Sequence, residues 1–152
     1  MTDWILDIIR SEMFLTVFSG IIVFVFSQYV LELIIKPRTN FKIIKGEVLC
    51  ILTMYANYIA NPFITGEDNN YTIPDEYKNA SNELRYMASK LAGHLESHRI
   101  ICRISKYYSV VSCLIKLSNS LWINIRSKRN IYTENEQTAN EIYKIFGIKG
   151  KF

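Results

Sequence analysis

The sequence predicts an all-α protein with an N-terminal transmembrane helix followed by a small cytosolic helical bundle. Residues 13–35 form an apolar run whose only charged member is Glu32, and apolar residues in the remaining chain recur at steps of three and four. At about 1.5 Å per residue, this run covers the roughly 30 Å of a bilayer hydrocarbon core. We therefore expect a short amphipathic segment at 1–12, a span at 13–35 and a cytosolic bundle at 36–152.

The flanks of the span predict its orientation. The charged residues before it are mostly acidic, which argues against a cleaved signal peptide, whereas a buried hairpin helix of a soluble domain stays an alternative. The first residues after the span are basic: Lys36, Arg38, Lys42 and Lys45. Because loops rich in Lys and Arg stay on the inner side, we expect a single-pass protein of the bacterial inner membrane with its C-terminal region in the cytoplasm.

The first helix after the span is predicted to begin or kink at Pro37 and to end at Asn61-Pro62. Its apolar stripe follows helical spacing and comprises Phe41, Ile44, Val48, Ile51, Tyr55, Tyr58 and Ile59. The uncharged run at 48–60 is short for a second span, although a re-entrant or second crossing at 43–60 stays open. Residues 61–74 are rich in turn formers and are predicted to be the longest loop.

Three more helices are expected in the bundle. Thr72 is the expected N-cap of the best-patterned one, which buries Tyr77, Ala80, Leu84, Met87, Leu91 and Leu95. The next is expected over 105–126, with an apolar side formed by Tyr108, Val111, Leu114 or Ile115, Leu121 and Ile125. The last is expected over about 134–146 after a polar turn, with Ile142, Ile145 and Phe146 on one face and Gly147 as its C-cap.

The span contains residues that could join helices or line a pore. Thr16, Gly20 and Ser27 belong to a stripe of mostly small residues that allows close helix approach. Gln28 and Glu32 lie one turn apart, and polar groups in an apolar medium need partners. These five residues form the candidate site for self-association. The alternative for Glu32 is that it reaches the interface or pairs with Lys36, one turn further on.

A basic stretch forms the second candidate site. From residue 99 to residue 130 there are seven basic residues and no Asp or Glu. The site residues are Arg99, Arg103, Lys106, Arg126, Lys128 and Arg129. Such a surface suits anionic lipid headgroups or, with the interleaved aromatic residues, a nucleotide or nucleic acid. The alternative is a solvated face balanced by acidic residues elsewhere.

The sequence shows no familiar catalytic motif, and we expect a protein that is not an enzyme and needs no cofactor or metal. Three possible metal ligands follow one another at one-turn spacing: His94, His98 and Cys102. This is not the HExxH arrangement of zinc enzymes. We therefore expect polar histidines at a helix end and a cysteine in the core. Cys50 and Cys113, like Cys102, form no CxxC pair, so we expect reduced, small core residues.

Several segments resemble a widespread family of small bacterial membrane-anchored proteins that are mostly called hypothetical. The resemblance covers most of residues 18–122 and depends on Ser19-Gly20 and Gln28, the stretch from Tyr55 to Asn61-Pro62, Glu83-Leu84-Arg85, and Leu117 to Leu121. It implies one N-terminal span and a cytosolic helical domain. It implies no activity and no catalytic residues.

Two functions are expected. The first is a non-enzymatic membrane effector that self-associates through its span and perturbs the inner membrane, as small antiphage proteins do. The alternative is a tethered module that captures a nucleotide, nucleic acid or protein on its basic face. The expected partners are the lipid bilayer, further copies of the chain, and a protein or nucleic acid from the same operon. A composition typical of an AT-rich gene, including 10 Tyr and 8 Phe, fits mobile or defence loci.

Overall fold

The computed structural model describes residues 11–65, 72–98, 105–124 and 130–148, and most of them are helical. The chain divides into two compact units, Met1–Asn40 and Phe41–Phe152. The expected amphipathic segment at 1–12 lies outside the described residues except for Ser11 and Glu12.

The first unit contains helix α1, Glu12–Val30, followed by a π-helical turn, Leu31–Ile35. The hydroxyl of Ser11 caps α1 by accepting a hydrogen bond from the Phe14 backbone N–H, 3.2 Å away. The Lys36 N–H donates to the Leu31 carbonyl, five residues earlier. Pro37 has no N–H to continue the α-helical ladder, and we attribute the widened turn to this missing donor. Helix α2, Lys36–Met54, follows the π turn, so Pro37 does not end the helix.

The second unit contains the remaining elements. After α2 they are α3 (Ala56–Ala60), β1 (Phe63–Thr65), α4 (Asp75–Ser97), α5 (Ser105–Ser120), β2 (Trp122–Asn124) and α6 (Ile131–Phe146). The predicted helix end at Asn61-Pro62 is confirmed, because α3 ends at Ala60. Tyr55 interrupts the expected continuous helix between α2 and α3.

The core forms where α4 packs against α5 and α5 packs against α6. Ala80, Leu84, Met87, Leu91 and Leu95 of α4 are all buried, as the sequence pattern predicts. From α2, the predicted positions Ile44, Val48 and Ile51 join the same cluster, together with Leu52. Packing of this face inside the second unit favours a bundle helix over a second span.

The apolar side predicted for α5 is confirmed in part: Leu114 and Leu121 are fully buried, Tyr108 and Val111 are half-buried, and Ile125 lies outside the described residues. The helix buries Val110, Cys113, Leu114 and Leu117, whereas Ile115 is 44% exposed. The expected end at 126 is also wrong, since α5 ends at Ser120 and the chain continues as β2. The polar run Ser118-Asn119-Ser120 bonds outside the helical pattern, which favours this earlier end.

A short two-stranded parallel sheet accompanies the helices and was not predicted from the sequence. Phe63 pairs with Trp122 and Thr65 with Asn124, within the stretches predicted as loop and helix. Aromatic and β-branched residues favour strands, but three-residue strands are too short to show an alternating pattern. The broader prediction of a mostly helical fold is confirmed.

The capping residues agree with the sequence prediction at the end of α6 but not at the start of α4. Helix α4 begins at Asp75 with Pro74 as its N-cap residue and no side-chain cap, so the prediction of Thr72 as N-cap is wrong. Helix α6 begins at Ile131, earlier than expected, because the Asn130 side chain accepts a bond from the Thr133 N–H. Gly147 ends α6 in the left-handed conformation at φ 71°, as predicted.

A buried amide connects three elements of the second unit. The Asn135 side chain is 1% exposed and donates to the Ile59 carbonyl at 3.0 Å and the Ser120 carbonyl at 3.5 Å. Its carbonyl oxygen accepts from the Ser120 hydroxyl at 2.5 Å. Because this amide uses both donor and acceptor, it joins α3, the end of α5 and α6 without leaving a buried polar group unpaired.

Replacing Asn135 by Ala is expected to lower the free energy of unfolding by about 2 kcal/mol, because the Ile59 carbonyl and the Ser120 hydroxyl lose buried partners. Thermal and chemical unfolding of the full chain in a neutral detergent, followed by circular dichroism, measures this loss. The control is Asn82→Ala on the exposed side of α4, which is expected to change stability by less than about 0.5 kcal/mol. Equal stability of the two variants would contradict the role assigned to Asn135.

Candidate functional site

The side chains of α1 are exposed on every side. No residue of α1 or of the π turn is buried, and large apolar residues such as Phe24 and Phe26 are 64% and 68% exposed. The helix Glu12–Met54 contains a window long and apolar enough to cross a membrane, by length and composition, and no part of that window is buried. A continuous exposed apolar surface of this kind is unusual on a soluble monomer.

The small-residue stripe lies on one side of α1. Thr16, Gly20 and Ser27 are separated by four and seven residues, which places them on the same side of a helix. The hydroxyls of Thr16 and Ser27 already form hydrogen bonds within the helix. Thr16 donates to the Glu12 carbonyl at 2.8 Å and Ser27 to the Val23 carbonyl at 2.7 Å. Among the described residues, no atom lies within 4 Å of the position that a Cβ would occupy at Gly20. The stripe therefore offers close approach rather than free hydrogen-bonding groups.

Gln28 differs from the stripe in position and in bonding. It follows Ser27 and so lies about 100° further round the helix. Its side-chain amide is exposed and forms no hydrogen bond with any residue in the described part of the chain. Gln28 thus has both donors and an acceptor available to a partner outside this chain.

Glu32 is paired within its own helix. The Lys36 ammonium group donates directly to the Glu32 carboxylate, and both side chains are more than half exposed. The sequence left this pairing as the alternative to a pore-lining or interhelical role, and the geometry favours the pairing. The five-residue candidate site therefore does not form one uniform face, and Gln28 is its member with an unused polar group.

The basic candidate site falls almost entirely outside the described residues. Arg99, Arg103, Arg126, Lys128 and Arg129 lie in stretches that the structure does not describe. Lys106 is exposed in the first turn of α5. Lys116, also from the basic stretch, lies 4.0 Å from the Glu134 carboxylate. The lipid or phosphate surface therefore stays a prediction.

The two histidines at the end of α4 lie close together. Their ring centroids are 4.6 Å apart, and the His98 Nδ1 is 3.1 Å from the His94 carbonyl oxygen. The His94 ring also stacks with Phe41, at 6.1 Å between centroids. Cys102 lies outside the described residues, and within those residues no three His, Cys, Asp or Glu side chains are grouped to hold a metal ion.

Polar side chains of α4 and α5 bond to each other where the two helices pack. The Ser81 hydroxyl donates to the Ser118 carbonyl at 2.9 Å, and the Arg85 guanidinium donates to the Asn119 side-chain oxygen at 2.7 Å. These contacts are polar ties between packed helices and give Arg85 and Asn119 an architectural role. Sequence reasoning missed them, because hydrogen bonds between residues over thirty positions apart leave no local pattern.

The cysteines have different environments. Cys113 is buried, and burial together with the nearby Glu141 carboxylate raises the pKa of its thiol to about 11. Cys50 is exposed on α2, so the expectation that it is a core residue is wrong. It lies on the side of α2 opposite the buried stripe. Cys102 lies outside the described residues.

No protein-family model, curated protein sequence or solved structure matches the chain.

In the Cys102→Ser variant, Cys50 is expected to react with iodoacetamide at pH 8 far faster than Cys113. At a pKa of about 11, only about one thousandth of Cys113 is thiolate at this pH, and the side chain is also buried. Peptide mass spectrometry over time measures both rates in the folded protein. The unfolded protein is the control, in which the two rates converge; equal rates in the folded protein would contradict the buried position of Cys113.

Proposed function

We propose that this chain is a non-enzymatic protein of the bacterial inner membrane, anchored by α1, which self-associates through that helix and perturbs the membrane. The folded second unit lies in the cytoplasm, where it receives the signal that brings copies together. The observation that carries this proposal is the free amide of Gln28 on a mostly apolar helix whose Thr16, Ser19 and Ser27 hydroxyls are internally bonded.

The environment of Gln28 supports self-association. In hydrocarbon, an amide without a partner is costly, because no water is available to bond it. A second copy of the same helix supplies an identical amide, and two glutamines can donate to and accept from each other. The small-residue stripe allows the helix backbones to approach.

The charges beyond the π turn support the proposed orientation. Arg38 and Lys42 are exposed and form no ion pair with the described residues. Exposed basic residues directly after a span favour the cytoplasmic side and its anionic headgroups. Lys45 has a different role, since its ammonium group binds the Phe146 carbonyl at 2.5 Å at the C-terminus of α6.

In lipid vesicles, Gln28→Leu is expected to weaken self-association by about 1 kcal/mol, roughly fivefold in the association constant. Energy transfer between labelled full-length copies, measured across a range of protein-to-lipid ratios, gives the constant. Phe26→Leu is the matched control, because it leaves the polar groups of α1 unchanged. Identical association of wild type and Gln28→Leu would exclude the amide as the contact.

In cells, overexpression of the full chain is expected to depolarise the inner membrane, and the double variant Gln28→Leu with Glu32→Leu is expected to abolish this. Because Glu32 is already paired with Lys36, Gln28→Leu alone should remove most of the effect and Glu32→Leu little of it. A potential-sensitive dye and immunoblotting of membrane fractions measure depolarisation at equal protein level. Unchanged depolarisation in the double variant would sink the effector proposal.

A further inference from the structure

The second unit contains an open groove between α6 and the segment formed by the end of α2 and α3. Its volume is about 580 Å³, within the range of small-molecule sites. Asn57 contributes to one wall, and Tyr132, Thr133, Glu136 and Tyr143 contribute to the other. Neither candidate site from the sequence includes any of these residues.

The groove side of α6 is separate from its core side. Tyr132, Glu136 and Tyr143 follow one another at spacings of four and seven residues, so they share one side of the helix. The core side carries Asn135 and Ile142, both buried. Tyr132 is 46% exposed although it is a large aromatic residue, so its ring is available to a ligand.

Glu136 is the charged residue of the groove. Its carboxylate is exposed and forms no ion pair or hydrogen bond with the described residues. By contrast, the Glu47 carboxylate lies 2.6 Å from the Lys90 ammonium group, and the Asp75 carboxylate lies 2.9 Å from that of Lys78. The groove therefore has one negative charge that no cation among the described residues balances.

The lining identifies the class of cation. A single carboxylate among hydroxyl, amide and aromatic groups is a poor donor set for Ca²⁺ or Mg²⁺, which take six or more oxygen ligands. Aromatic faces attract organic cations, and ammonium groups with alkyl substituents pack against tyrosine rings while a carboxylate balances their charge. Two tyrosine rings and one carboxylate in a groove are therefore suited to binding an organic ammonium ion.

We propose that this groove binds an organic ammonium ion, with Glu136 as its counter-ion and the rings of Tyr132 and Tyr143 against its alkyl groups. The same chemistry occurs in two sources, a soluble amine and the ethanolamine headgroup of a phospholipid. The site stands on the geometry of the second unit and does not depend on self-association of α1.

Binding is tested with the full chain in neutral detergent micelles, using tetramethylammonium as the probe and saturation-transfer NMR as the readout. Wild-type protein is expected to bind saturably, and Glu136→Gln is expected to bind at least about tenfold more weakly, because it keeps the shape and removes the charge. Tyr132→Phe should retain binding and Tyr132→Leu should weaken it severalfold, because the ring rather than the hydroxyl makes the contact.

Glu76→Gln is the control, since it removes an exposed carboxylate from α4 and is expected to leave binding unchanged. Circular dichroism establishes that each variant is folded. Competition with spermidine and with phosphoethanolamine distinguishes the sources: stronger displacement by spermidine assigns a soluble amine, and stronger displacement by phosphoethanolamine assigns the lipid headgroup. No saturable binding by wild type, or equal binding by wild type and Glu136→Gln, would overturn the proposal.

Discussion

The apolar surface of α1 is the constraint on which the proposed membrane function depends. Burying apolar surface is worth about 25 cal/mol per Å², and α1 exposes Phe24, Phe26 and their neighbours on all sides without a core to receive them. This surface must leave water by entering a bilayer or by meeting other helices. In either environment the helix satisfies its own backbone and its small hydroxyls. The amide of Gln28 has no such internal bond, and it is therefore the focus of the proposal.

The second unit has a core, and the polar groups buried in it need hydrogen-bond partners within the chain. The amide of Asn135 joins α3, α5 and α6, and Ser81 and Arg85 of α4 bond the polar end of α5. These hydrogen bonds lie near the ends of the helices, whereas the central parts of the helices pack through leucine and isoleucine side chains. The core thus determines which helices pack, and the polar contacts select one arrangement of their ends. The groove lined by Glu136 lies on the side of α6 that takes part in neither the apolar core nor these polar contacts.

Sequence reasoning reached the features that depend on local period. The apolar run of α1, the buried stripe of α4 and the left-handed Gly147 were all predicted, because helical spacing and glycine conformation are properties of neighbouring residues. It missed the pairing of Phe63 with Trp122 and the contacts of Asn135, since these join residues far apart in the chain. For the candidate site, it found Gln28 but could not separate it from Thr16 and Ser27. That separation depends on hydroxyl bonds seen only in three dimensions.

The small free energy of one interhelical amide hydrogen bond affects how self-association of α1 can be regulated. An interhelical hydrogen bond in a membrane is worth about 0.6 to 2 kcal/mol, a factor of roughly 3 to 30 in an association constant. If α1 associates through Gln28, the assembly is held near balance instead of being permanent. A modest signal at the second unit, such as a ligand that favours the associated form, is then enough to shift the population. A weak contact of this kind suits the proposed effector, because a span with many unpaired polar groups would associate without a signal.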